Sequence, residues 1–542
     1  MTPELRRDTR WWGWGDPAES TELSVRAERL LAERGIEVSE SRRIRPLTEV
    51  ELPEAEALPG ALLDVAGTSN VSTSHEDRLR HSGGQSYADL IERRSGVLSI
   101  APDAVVAIDS PDRIVHLLEA CSRHGVAVVP FGGGTSVVGG VVPGRGRCGS
   151  VISLDTGRLR SVRVDRTSQT ATLGAGLRGP EAESALAEHG FTLGHFPQSF
   201  EYATIGGFAA TRSAGQASNG YGRFDTLVSS IRLATPSGML STLETPHTAI
   251  GPSLMDLVVG SEGAFGVIPD VTVRVRPIPA VRRYEAWFAG DFDTGSELTR
   301  SLAQADCLPA VVRVSDPTET AVSLGISGPS GISGDLLKRY LKLRGREGGS
   351  LIIVGFEGSE AGVRHQRRRV VRTLRSGGAV ALGQAAGSGW LTKRFHGPYL
   401  REALLDRGLV VDTLETAQQW SHHGELYEAV RVAIQGELDV LGMNGVVMCH
   451  LSHAYRDGAS LYFTVIASPG PDGGLSSWQR IKLAACSAMQ AGGGTLSHHH
   501  ATGRDHQPYL QAEIGALGVE TLRAVKSQLD PNGIMNPGCL VP

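Results

Sequence analysis

Apolar positions follow no single rhythm through residues 1–95. One stretch there, STELSVRAERLLAERG, repeats its hydrophobic residues at helical spacing, and the connections around it are Pro-rich and polar. From Val97 the texture changes to short apolar runs that alternate with helical ones. AVVAIDS and VAVVPF read as strands; between them PDRIVHLLEACSRHG reads as a helix that opens on Pro and closes on Gly. Further strands are expected at SVISLD, in SVRVDRTSQTATLGAG and at VTVRVRP, which ends the unit near Pro277. Beyond Pro279 the strand-like VRRYEAWFAG, AVVRVSD and SLIIVGFEG alternate with helix-like GVRHQRRRVVRTLRSGG and HGELYEAVRVAIQGELDVLG. The end, GVETLRAVKSQLDPNGIMNPGCLVP, is a helix and a Pro/Gly-rich tail with nothing of its own to pack on, so it should return to an earlier domain. The fold class is α+β, in four parts: 1–95, 96–278, 279–490 and 491–542.

Composition narrows this. At 542 residues the chain exceeds one ordinary core. Hydrophobic content of 40% and charged content of 20% describe a globular protein, and a net charge of -5 gives no footing for nucleic acid. The six cysteines form no CxxC pair, which fits a reducing compartment. The start, MTPELRRDTRWWGWGDP, has no apolar signal core, and no apolar run approaches spanning length, so the expected location is the cytoplasm.

Glycine is abundant, at 68 residues, and it clusters. PFGGGTSVVGG (Pro130 to Gly140) lets successive backbone N–H groups face phosphate oxygens, with Thr135 and Ser136 as hydroxyl donors. No Lys follows, so it is not a GxxxxGK[ST] loop, and no helix opens on it as a dinucleotide fingerprint requires. A tight surface turn would explain this stretch alone. It has two companions, ATIGGFAATRSAGQASNGYGRFDTLV (Ala203 to Val228) and GSEGAFGVI (Gly260 to Ile268). One extended ligand threaded between three such loops accounts for them better than three separate turns do.

A second cluster follows a glycine run near the end, GGGTLSHHHATGR (Gly492 to Arg504). Three successive imidazoles cannot face one point: in a strand His498 and His500 share a face and His499 turns away, and in a helix they fan apart. No metal is assigned on these residues, although a pair at i and i+2 could ligate one. Neutral imidazoles also suit proton transfer near pH 7. A loop that buries one histidine and exposes two is the plain alternative.

Taken in order, RWWGWGDP, PFGGGTSVVGG, TIGGFAATRSAG, GSEGAFGVI, PAVVRVSDP, DTLETAQQW, GASLYF and GGTLSHHHATGR resemble the alkyldihydroxyacetonephosphate synthase family, within the vanillyl-alcohol oxidase, or PCMH-type, flavoprotein superfamily. The resemblance implies a PCMH-type FAD-binding domain of two α+β subdomains over 96–278 and an α+β cap over 279–490. An N-terminal helical segment would pack on the FAD domain, to which 491–542 would return. It implies exchange of the acyl group of acyl-dihydroxyacetone phosphate for a long-chain fatty alcohol, with the flavin used without net redox. FAD would be noncovalent, because the first glycine loop holds no His or Cys. Its contacts would be Pro130, Gly132, Gly133, Gly134, Thr135, Ser136, Thr204, Gly206, Gly207, Thr211 and Ser213, with Glu262 and Ile268 at the adenosine end.

The same resemblance makes Tyr462 the acid/base, with a phenol pKa lowered by nearby cations, and places it across the flavin from His500. His498, His499 and His500 would bind phosphate and move protons; if the block is extended and His499 faces away, His499→Ala is expected to be milder than His500→Ala. Arg401 would meet the substrate phosphate, with Arg313 close by. It leaves room for peripheral membrane contact and a homodimer. The alternative is an FAD-linked oxidase or dehydrogenase of a 2-hydroxy acid or alcohol; His450, paired with His500 around a metal, would speak for it.

Overall fold

The computed structural model describes residues 5–19, 22–329, 331–470 and 474–541. Ser20 and Thr21, which begin the first helical stretch, lie outside them.

The glycine-loop region folds as two small layers. In the first, Ala104–Ala107 and Val126–Phe131 flank Ser150–Asp155 in parallel, and Val71–Ser72 adds an antiparallel edge. The parallel strands need a crossover, and helix Pro111–His124 supplies it. Pro stands at its start, Gly125 closes it with φ 63°, and Ile114, Leu117, Leu118 and Cys121 are buried on one face. The second layer is a five-stranded antiparallel sheet in the order Val162–Asp165, Thr170–Gly174, Asp270–Arg274, Val228–Thr235, Gly238–Ser241.

The cap is a seven-stranded antiparallel sheet. Its order is Val380–Gly383, Val281–Ala289, Ser350–Gly358, Val311–Ser315, Gly445–Ala454, Gly458–Ala467, Val410–Gln419. Alternation splits this sheet. Leu414, Cys449, Leu451, Leu461 and Phe463 enter a core that also takes Val430 and Ile434 of helix His423–Val440 and Ile481 and Ala485 of helix Leu475–Ala491. On the opposite face Tyr284, Ala286, Val311 and Ile353 form a second apolar cluster, and the strands Gly445–Ala454, Gly458–Ala467 and Val410–Gln419 present polar residues.

The N-terminal segment divides its loyalties, and here the packing differs from expectation. Leu62 and Ala66 of helix Gly60–Ala66 join the core of the first glycine-loop layer. Leu23, Ala27, Leu31 and Ile36, from helix Val25–Ala32 and its flanks, bury instead in the cap core beside Trp287 and Phe356. An amphipathic helix of eight residues takes whichever apolar surface is nearest, and its period does not name that surface. At the C-terminus, Leu522, Val525 and Leu529 of helix Leu510–Leu529, with Leu540 and Val541, pack on the second glycine-loop layer, while Met535 bridges Val128 beside the first.

Candidate active site

The three glycine loops meet. A Cβ on Gly133 would collide with the Tyr202 carbonyl, and one on Gly263 would press on Pro130, so only glycine allows the loops this close. Asn536 ties two of them by donating from Nδ2 to Gly140 O (2.9 Å) and Glu262 O (2.7 Å). The second run is less a loop than three short helices, Ile205–Ala210, Ser218–Tyr221 and Phe224–Leu227.

Their hydroxyls are largely occupied. Ser136 Oγ accepts from Gly140 N (2.9 Å), Thr204 caps its helix at Gly207 N, Thr211 Oγ1 donates to Gly207 O (2.9 Å), and Ser213 Oγ pairs with His195 Nε2 (3.0 Å). Gly206 N donates to Ala175 O. Ile268 has its side chain in the core with Phe265 and Val271. Among the described residues, the backbone N–H groups of Gly132, Gly133, Gly134, Thr135 and Ser136 have no protein acceptor. Five successive half-buried donors on turning backbone are an anion cradle. This is the fit a dinucleotide pyrophosphate requires. The free donors thus lie on the main chain of the first loop, whereas the hydroxyls of the second are engaged within the protein.

Glu262 departs further from expectation. Its carboxylate accepts from Thr502 N (2.8 Å) and Gly503 N (2.7 Å), so it fastens the segment that follows the histidines. Burial pushes its pKa up to about 7, against the pull of those two N–H groups. Arg504 N adds a bond to Val138 O (2.9 Å), at the first loop. The histidine block is therefore bolted to the glycine loops on its C-terminal side.

On its other side it meets the polar face of the cap sheet. Glu415, Tyr462 and His450 are direct cross-strand neighbours on three adjacent strands, and His450 is in turn opposite Ser315. Arg313, two residues before Ser315, shares that face. Tyr462 stacks on His450 at 4.8 Å and meets His500 edge-on at 5.5 Å. A flavin ring between Tyr462 and His500 would need about 7 Å, two contacts of ~3.5 Å. The two are therefore neighbours on one side of any ligand, not partners across it.

The His498–His500 turn is neither strand nor helix. Glu415, fully buried, accepts from the backbone N–H groups of both His499 and His500, pairs with the His499 ring, and takes a hydrogen bond from Ser497 Oγ (3.0 Å). His499 thus faces inward, against the expectation that it would point away. Burial would raise Glu415, yet the adjoining histidines hold it well below the usual carboxylate range. Burial pushes His498 and His500 down to about 3, so both are neutral imidazoles at pH 7. His498 Nε2 pairs with the Tyr455 hydroxyl at 2.7 Å, and His453 Nδ1 with Ser218 Oγ at 2.7 Å.

Tyr462 is raised to about 12, chiefly by burial and with Glu415 adding to it; Thr413 and Arg401 pull the other way and lose. The lowered phenol expected from cationic neighbours is not found, because burial and the Glu415 charge outweigh the pull of Thr413 and Arg401. Arg401 donates from Nη1 to Gln85 O and from Nη2 to Gln85 Oε1, both at 3.0 Å, while its buried Nε has no protein acceptor. Arg313 is spoken for: Nη2 pairs with Glu319 and Nη1 donates to His450 Nε2 (3.0 Å). His450 Nδ1 donates to Glu319 Oε2 (3.2 Å), which assigns the neutral Nδ1–H tautomer.

Among the described residues, ligand-type atoms gather within 4.8 Å as His453–His498–His499 and as Glu415–His499–His500, and His450 belongs to neither set. Glu415, Glu319 and Gln85 were not singled out from the sequence. Glu415 had a signal, an acidic residue within VVDTLETAQQ on a strand that is otherwise mostly buried.

A cavity of about 650 Å³ opens between these halves, lined by Thr211, Glu262 and Phe265 on one side and by Tyr455, His498 and His499 on the other. The first glycine loop borders a smaller one of about 60 Å³ with His81, Gln85 and Arg178.

The chain matches the FAD binding domain family over residues 102–244 and the family described as FAD linked oxidases, C-terminal domain over 278–540. It is 31% identical to an alkyldihydroxyacetonephosphate synthase of Trypanosoma brucei brucei across 100% of this chain and 94% of that one. It is 31% identical to one of Dictyostelium discoideum across 86% and 77%. A solved alkyldihydroxyacetonephosphate synthase superposes with a TM-score of 0.85 at 26% identity, covering 98% of each chain. With an anion cradle on an FAD-binding domain and a tyrosine–histidine cluster on the facing cap, the chain belongs to the alkyldihydroxyacetonephosphate synthase family of FAD enzymes.

Proposed function

We propose that this enzyme exchanges the acyl group of acyl-dihydroxyacetone phosphate for a long-chain fatty alcohol, with FAD held noncovalently and used without net redox. The carrying observation is the row Glu415–Tyr462–His450 on the cap sheet, pressed against the His498–His500 turn that Glu262 and Val138 fasten to the glycine loops. When bound, FAD supplies the electrophilic ring system. The free N–H groups of Gly132 to Ser136 would hold its pyrophosphate, and no His or Cys in that loop is available to tether it.

The chain's own residues divide the remaining work. Arg401, whose Nε has no protein acceptor, offers that charge-assisted donor to the substrate phosphate. Tyr462 carries its proton at neutral pH and donates first. The edge-on neutral His500 is placed to take a proton in return. Arg313, neutralised by Glu319, orients His450 beneath the phenol.

The test is incubation with acyl-dihydroxyacetone phosphate and labelled hexadecanol without an electron acceptor. Labelled ether product under these conditions supports the proposal. Stable bleaching of the flavin by a 2-hydroxy acid, with no exchange, would sink it and promote the dehydrogenase alternative.

A further inference from the structure

One stretch lies outside both matched family regions and still touches the centre of the site. HSGGQS, residues 81–86, precedes the FAD-binding match at 102. A Cβ on Gly84 would sit 2.5 Å from Ser136 O, so this glycine lets the stretch lie directly on the first glycine loop. Gln85 N donates to that same Ser136 O at 2.6 Å. At one end His81 Nε2 bonds Asp155 Oδ2 (3.0 Å) and its ring packs on Phe131 at 4.3 Å. At the other, Gly84 N donates to Asp89 Oδ2 (2.8 Å) and Ser86 caps helix Tyr87–Ser95.

The stretch also reaches the cap. Gln85 accepts twice from Arg401, through O and Oε1 at 3.0 Å each. The helix that bears Arg401, Gly397–Leu405, is moored to the same N-terminal segment: Arg94 bonds Glu402 (2.7 Å) and Asp406 (2.9 Å). Two parallel acceptors on the far edge of a planar guanidinium set its plane, and Nη2 also reaches Glu402 Oε1 at 3.4 Å. Nε is buried with no protein acceptor, the one donor of the group left for a phosphate oxygen.

We infer that residues 81–86 are a fourth loop of the site, and that Gln85 is a positioning residue that aims Arg401 at the substrate phosphate from the backbone of the first glycine loop. This rests on the reading of Arg401 as the phosphate ligand. It also gives the N-terminal segment, which lies outside the matched regions, a part in substrate recognition.

The experiment is a double-mutant cycle on the FAD-loaded enzyme with Gln85→Ala, Arg401→Leu and the pair, read in two ways. One reading is KM for acyl-dihydroxyacetone phosphate set against KM for hexadecanol. The other is the rise in melting temperature on adding dihydroxyacetone phosphate, which needs no turnover. Gln85→Ala should raise KM for the phosphorylated substrate about tenfold and shrink the thermal shift, with KM for hexadecanol and FAD content unchanged. In the Arg401→Leu background the same change should add nothing. Gln85→Glu, which keeps size and packing, should weaken phosphate binding further by pairing with Arg401.

Outcomes separate the two layers. If Arg401→Leu leaves KM for the phosphorylated substrate unchanged, the phosphate reading falls and the inference falls with it. If Arg401→Leu raises it but Gln85→Ala and Gln85→Glu do not, the phosphate reading stands and the positioning role is overturned. Equal, additive losses in all backgrounds, with both KM values rising together, would show a merely structural residue and overturn it as well.

Discussion

At the first glycine loop the functional groups are main-chain N–H donors, left free on half-buried backbone from Gly132 to Ser136. At the His498–His500 turn they are side chains, packed around one buried carboxylate whose Oε1 accepts from Ser497, His499 and His500 and whose Oε2 lies beside the His499 ring. The first region offers main-chain donors on backbone whose close approach glycine permits. The second tunes protons by burial: neutral imidazoles and a protonated phenol around the Glu415 charge. The contrast teaches that a substitution in the loop should cost ligand, whereas one in the cluster should cost chemistry with the ligand still in place.

The largest effect should follow at the loop. Gly133→Ala sets a methyl against the Tyr202 carbonyl before any ligand is involved, so the loop must open. Purified protein should lose most of its flavin absorbance per chain and with it all turnover. A colour equal to wild type would remove the loop from the FAD site.

Next comes Tyr462→Phe. The ring and its stack on His450 survive, and only the hydroxyl goes. Turnover should fall by ~10²–10⁴-fold with FAD content unchanged. Equal losses of turnover and flavin would erase the distinction between the two regions.

Arg401→Leu should cost about 1.5–3 kcal/mol in kcat/KM for the phosphorylated substrate, as for one charge-assisted contact. Flavin occupancy should again be unaffected, since Arg401 sits on the cap side. Unchanged kinetics would move the phosphate site elsewhere.

The smallest effect on turnover, and the finest probe of the junction, concerns Glu262. Its folded pKa of about 7 stands above the ordinary 4.5 because burial outweighs the Thr502 and Gly503 N–H groups. The folded state therefore binds more protons than the unfolded state between those values. Stability from this group is greatest below about 4.5 and falls as pH rises to about 7, by roughly 3 kcal/mol over the window. Glu262→Gln removes the titration, so the urea midpoint of the variant relative to wild type should climb across that window and flatten above it. A constant difference would show that Glu262 does not titrate there.

Much of the fold was legible because local rules decide it. VAVVPF and SVISLD became strands Val126–Phe131 and Ser150–Asp155, and PDRIVHLLEACSRH became helix Pro111–His124, since period, Pro and Gly signals act within a few residues. The glycine clusters likewise marked where the loops run close together, because only that residue tolerates such backbone approach. What the chain alone could not reveal was which partner each element would take. Helix Val25–Ala32 went to the cap, Glu262 fastened the turn after the histidines, and Glu415, Tyr462 and His450 lined up only through the register of three strands. The Tyr462 pKa rose instead of falling for the same reason. A side chain carries its ordinary pKa in its chemistry, but burial and the charges around it come from residues hundreds of positions away, and these the tertiary structure alone decided.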